Sequence, residues 1–92
     1  MPSSNKTRRW QRFPIDLPLG ITVCRGASEM MIPGLGLEMS KGGISVCAGA
    51  HLNPGDLTEV EFKTLGNTRV TAVVRSRSGY CFGLEFLSEL PH

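Results

Sequence analysis

Two short stretches hold the side chains best suited to chemistry. The first, Arg8-Arg9-Trp10-Gln11-Arg12, puts three guanidinium groups and an indole side by side. A guanidinium is a planar fork of N–H donors that meets a phosphate or a carboxylate through two parallel hydrogen bonds. With Lys6, this stretch gives the first twelve residues four positive charges and no acid. The other eighty residues carry six Lys/Arg against eight Asp/Glu, a balance of −2. The overall +2 is thus a basic arm on a mildly acidic body, and segregation of that kind draws an anionic partner. The second stretch is Glu38-Met39-Ser40-Lys41-Gly42-Gly43. Its carboxylate and hydroxyl lie two residues apart, on one face of a strand, beside glycines where backbone can approach a ligand closely.

Other chemistries are poorly provided for. No serine or cysteine has an evident base, and His51 and His92, the two imidazoles of the chain, lack a second ligand at metal-binding spacing. Glu59 and Glu61, at i and i+2, read as the solvated face of an amphipathic strand. Gly34-Leu35-Gly36 resembles a phosphate loop only superficially, because no helix follows to present its N-terminus; it reads as strand irregularity. Cys24, Cys47 and Cys81 are odd in number and widely spaced, with no Cys-x-x-Cys pair. They read as reduced thiols of a cytoplasmic protein, acting as small buried or half-buried apolar residues. No apolar run approaches the roughly twenty residues of a membrane span.

The elements that must position the two stretches are short strands. Eleven glycines and six prolines punctuate 92 residues, and no segment keeps a helical period. Ile15, Leu17, Leu19, Ile21 and Val23 alternate with Asp16, Pro18, Gly20 and Thr22, a strand with one buried face and an irregular entry at Pro18. A turn at 26–28 leads to a second strand starting at Glu29, interrupted by Pro33-Gly34 and resumed to Met39. Gly42-Gly43 permits positive φ and a tight reversal into Ile44-Ser45-Val46-Cys47. After the turn Asn53-Pro54-Gly55-Asp56 comes a strand with Val60 and Phe62 inward. After Gly66-Asn67 comes a strand with Val70, Ala72 and Val74 on one face and Arg69, Thr71, Val73, Arg75 and Arg77 on the other. Ser78-Gly79 then turns the chain into Tyr80–Leu87, where Phe82, Leu84 and Phe86 share a face. Six such strands predict an all-β fold, a small six-stranded antiparallel Greek-key barrel closed against exposed edges. The expected organisation is a flexible tail over 1–7, a basic ligand-binding arm over 8–14 and the barrel over 15–92.

A carboxylate accepts from two adjacent N–H donors such as those on the Watson–Crick edge of guanine, and an arginine meets the opposite edge of that base or clamps a phosphate. The two stretches therefore suit a compact guanine-bearing anion better than duplex DNA. Here the chain resembles the PilZ domain, the bacterial receptor module for cyclic di-GMP. That family is marked by Arg-x-x-x-Arg before the first strand and by Asp/Asn-x-Ser-x-x-Gly after it. Arg8 and Arg12 match the first motif, and Ser40 and Gly43 the second. Leu52-Asn53-Pro54-Gly55-Asp56 and Gly83-Leu84-Glu85-Phe86 look like the family's usual turn and closing strand, so the resemblance runs from Arg8 to Leu87.

The resemblance implies a non-enzymatic, cytoplasmic receptor without cofactor, whose regulatory ligand is cyclic di-GMP. Arg8, Arg9, Arg12, Glu38, Ser40, Gly43 and Arg75 are the expected ligand-binding residues. Trp10 either stacks on a base or covers the barrel. The arm would order across the ligand and so signal to a downstream protein partner or to a second copy; no nucleic-acid polymer and no membrane insertion are expected. Two departures from the family stand out. Glu38 replaces Asp or Asn, which moves the carboxylate by about 1.5 Å, one C–C bond length. The family's C-terminal helix would have only 88–92 to form from, so the barrel end would be covered by another chain or close on its own side chains. The alternative reading is a PilZ-like protein-interaction module that has lost nucleotide binding. A third, a single-strand binder, needs several exposed aromatics on one face.

Overall fold

The computed structural model describes residues 12–25, 27–66 and 68–87. Six antiparallel strands, β1 (Phe13–Arg25), β2 (Ser28–Met39), β3 (Gly43–Ala48), β4 (Leu57–Phe62), β5 (Thr68–Ser78) and β6 (Cys81–Phe86), form the fold. They close into a barrel in the order β1-β2-β3-β6-β5-β4. The hairpins β4-β5-β6 form a meander, and β3 lies beside β6 rather than β4, which is the Greek-key arrangement. The all-β barrel expected from the alternating pattern is the observed fold.

The inward residues of each strand meet in one core. Leu19, Ile21, Val46, Val60, Phe62, Val70, Val74 and Phe82 are almost wholly buried, and the Phe62 and Phe86 rings meet edge-on with centroids 6.3 Å apart. β1 reaches β4 over Leu19–Ile21 only, and this narrow seam is reinforced by the buried Thr58 hydroxyl, which donates to the Thr22 carbonyl. The barrel interior is tight enough to demand glycine. A Cβ on Gly36 would lie 3.0–3.2 Å from Ile15, Leu19 and Ile44, and one on Gly34 would press on Leu19 and Ala48. Gly34 and Gly36 are thus strand positions set beneath large neighbours, and the irregularity expected here is a register shift against β3 just after Gly36.

Three local expectations are corrected. β2 runs through Pro33-Gly34 without interruption. Pro33 pairs with Gly20 of β1, and the ladder to β3 starts only at Gly34, so its missing N–H breaks no bond on that side. The irregular entry expected at Pro18 is present as a register shift against β2 between Pro14 and Leu17, and Pro18 itself sits just before the β1–β4 seam, where its missing N–H breaks no bond to β4. Among the described residues, positive φ occurs at Gly55, Gly66 and Gly79, not at Gly42 or Gly43. A short 3-10 turn, Lys63–Leu65, precedes the left-handed Gly66. Finally, Cys24 is an exposed thiol, and Cys47 and Cys81 are joined as a disulfide, where three separate buried or half-buried thiols were expected.

Candidate functional site

The register of β1 against β2 brings the two stretches together. Phe13 pairs with Met39 and Pro14 with Glu38, so Arg12 arrives beside the β2–β3 turn. β2 carries a bulge between Gly36 and Glu38, which leaves Leu37 and Glu38 both outward before Met39 turns in again. From there Arg12 Nη1 donates to Glu38 Oε1 at 3.3 Å, with both side chains nearly half exposed. The acid expected to face the ligand faces the arginine of the same site. Arg8 and Arg9, with Trp10, lie outside the described residues, as does the segment 88–92.

Ser40 organises the turn. Its hydroxyl oxygen accepts from the Gly42 amide at 3.1 Å and the Gly43 amide at 3.2 Å, while its own amide donates to the Gly43 carbonyl at 2.9 Å. A serine hydroxyl has two acceptor positions and one proton to give. Both acceptor positions are occupied within the turn, which leaves the O–H free in direction to donate to an oxygen outside it. The amides of Gly42 and Gly43, beside which backbone was expected to approach a ligand closely, are held by Ser40.

Gly43 is required by close approach rather than by turn geometry. Paired with Glu85, it lies so near β6 that an added Cβ would run into the Leu84 carbonyl oxygen. The Gly42 carbonyl accepts from Phe86 N at 2.9 Å, which fastens the turn to β6. Arg75 is next to this region. A bulge between Val74 and Ser76 turns both Arg75 and Ser76 outward, and Arg75 Nε donates to Glu85 Oε1 at 2.5 Å. The same bulge removes Arg77 from the face that Arg69 and Arg75 were expected to share. Arg77 instead donates to the Gly79 carbonyl and to Asn53 Oδ1. Arg69 lies across from Glu61 and bridges Glu59 and Glu61, both at 3.8 Å.

Three further positions belong to the same outer strip. Glu38 pairs with Ser45, Ser45 with Gly83 and Gly83 with Ser76, a lateral row across β2, β3, β6 and β5. Ser45 was recognisable from its place between the buried Ile44 and Val46. Gly83 and Ser76 were not, because the row depends on strand order and on the β5 bulge. The arrangement offers cationic forks, a hydroxyl donor, a carboxylate and a smooth glycine floor on a polar sheet face. It suits a planar, anionic, hydrogen-bonding ligand. Among the described residues, no group of three or more His, Cys, Asp or Glu is placed to hold a metal ion.

The fold is a closed, antiparallel all-β barrel with a glycine turn leading into β3 and an arginine beside that turn. Among the described residues no helix is long and apolar enough to cross a membrane. The family model described as "PilZ domain" matches residues 6–92, so the chain belongs to the PilZ domain family. Among solved structures it is similar to the Bacillus subtilis inhibitor of motility, MotI/DgrA, with a TM-score of 0.64 at 20% identity. That match covers 90% of this chain and 44% of the other, so the present chain spans less than half of its neighbour's length. The likeness is one of fold. No curated protein matches the chain.

Proposed function

We propose that this PilZ domain is a bacterial, cytoplasmic receptor for cyclic di-GMP and acts by binding rather than by catalysis. The observation that carries the reading is the meeting of Arg12, Glu38 and the Ser40–Gly43 turn at one point of the barrel, from segments far apart in the chain. Family membership over residues 6–92 supports it, because PilZ domains are receptor and adaptor modules of cyclic di-GMP signalling.

In this mechanism Arg8, Arg9 and Arg12 neutralise the two phosphates and reach the O6/N7 edge of guanine. Glu38 then exchanges its arginine for the N–H donors of a guanine Watson–Crick edge. The Ser40 hydroxyl donates its remaining proton to the ligand. Gly43 keeps the turn flush against β6, and Arg75, next to Glu85, adds positive field. Ligand held between the arm arginines and the barrel presents a changed surface to a downstream protein or to a second copy.

A second reading has its own support. The Arg12–Glu38 pair occupies the groups a ligand would use, and Met31, Pro33, Leu35 and Leu37 leave an exposed apolar stripe on β2. Both features suit a protein-interaction module without nucleotide. Calorimetric titration of the full chain with cyclic di-GMP separates the two. The receptor reading expects saturable heat that Arg12→Ala abolishes or weakens at least tenfold. Absence of heat in the parent protein, or binding indifferent to Arg12→Ala, refutes it in favour of the interaction module.

A further inference from the structure

The ladder between β3 and β6 sets Cys47 directly opposite Cys81, with α-carbons 4.1 Å apart and the sulfurs bonded. We propose that this pair is a redox-reversible thiol–disulfide site on the outer face of the barrel. The first support is access. Cys81 is exposed and Cys47 half-buried, so a small thiol can reach the bond, whereas a disulfide sealed in a core resists exchange.

The second support is that neither sulfur belongs to the core. Val46, Ala48 and Phe82 point inward on either side, which directs Cys47 and Cys81 outward. Opening the bond therefore leaves no cavity. The third is pre-organisation. Four further ladder pairs, from Val46 with Phe82 to Gly43 with Glu85, hold the strands together, and Ala48 N donates to the Tyr80 carbonyl just beyond the cysteines. The strands keep the two thiols opposed whether or not they are joined, so re-oxidation is intramolecular and favoured by effective concentration.

The reaction balances with a low-molecular-weight disulfide as oxidant. The Cys81 thiolate attacks one sulfur of that disulfide, a mixed disulfide forms, and one small thiolate leaves. The Cys47 thiolate then attacks the Cys81 sulfur and expels the second small thiolate. The protein loses two thiol protons and two electrons, and the oxidant becomes two thiols. A small thiol runs the sequence backwards. The proposal stands independently of nucleotide binding.

The test uses the full chain carrying Cys24→Ser, which removes the exposed third thiol. The protein is equilibrated in buffers of varied reduced-to-oxidised glutathione ratio, quenched with an alkylating reagent and weighed intact. The expected result is a single transition from two alkylated cysteines to none, with a midpoint independent of protein concentration and full reversal on returning to reducing buffer. Adding Cys47→Ser should replace that transition with a glutathione adduct on Cys81. Two results overturn the proposal. One is a pair that remains alkylatable across the whole series, and the other is a disulfide that reduced glutathione cannot open while the protein stays folded.

Discussion

Arg12 and Glu38 are 26 positions apart in the chain and meet as a 3.3 Å ion pair at the mouth of the β2–β3 turn. The longer glutamate side chain, where the family has Asp or Asn, gives the carboxylate the reach to hold the arginine. An exposed pair of this kind is worth about 0.2–1 kcal/mol, and in the proposed receptor mechanism a phosphate at Arg12 would compete with it.

Shortening the acid should therefore favour ligand. Glu38→Asp is expected to strengthen cyclic di-GMP binding up to about fivefold, the equivalent of about 1 kcal/mol. Titration calorimetry on parent and variant checks this. Weaker binding by the aspartate variant would mean that the full length of Glu38 is needed by the ligand.

Ser40 should matter to the turn before it matters to any ligand. Ser40→Ala removes the acceptor for two partly buried amides, those of Gly42 and Gly43. Leaving such donors unsatisfied costs about 1–3 kcal/mol. The variant should melt several degrees lower, and amide exchange at Gly42 and Gly43 should accelerate even without nucleotide. Unchanged exchange would mean that water replaces the hydroxyl at no cost.

Gly43 makes a sharper distinction. If its role were only to admit a ligand, alanine would leave the melting temperature alone. Because a Cβ there collides with the Leu84 carbonyl oxygen, which is backbone and cannot rotate away, Gly43→Ala must push β3 from β6. A cost of about 1–3 kcal/mol is expected. For a domain of this size that lowers the melting temperature by about 4–8 °C per kcal/mol, which a thermal scan resolves.

These residues also mark what could be read before the structure. Alternation on β1, β4 and β6 was legible because each strand has one buried face, and Leu19, Val60 and Phe82 fall where the period of two puts them. The bulges were not legible, since a bulge is a relation between two strands. The one in β5 moved Arg77 out of line with Arg75, and the one in β2 turned both Leu37 and Glu38 outward. The continuity of β2 through Pro33 depends on where β3 ends. The two halves of the candidate site were legible as residue types at characteristic spacing, whereas their direct contact required the register of Phe13 with Met39. The Cys47–Cys81 pair was hidden for the same reason, because 34 residues separate partners that a strand order alone brings together.

The two arginines of β5 should differ in their effect on binding. Arg75 is held by Glu85, which pairs with Gly43, so its charge lies beside the turn. Arg69 pairs with Glu61 of β4, which in turn pairs with Gly20 of β1, and its charge is shared between two carboxylates. Both are exposed, and removal of either should change stability by less than about 1 kcal/mol. Arg75→Ala is expected to weaken cyclic di-GMP binding about two- to fivefold and to reduce its dependence on ionic strength, because a cation close to the phosphates is lost. Arg69→Ala should leave both quantities unchanged within error. Titrations of the two variants at low and moderate salt make the comparison. Equal losses would mean that the ligand senses only the net charge of the barrel, and no loss in either would confine the cationic part of the site to the arm.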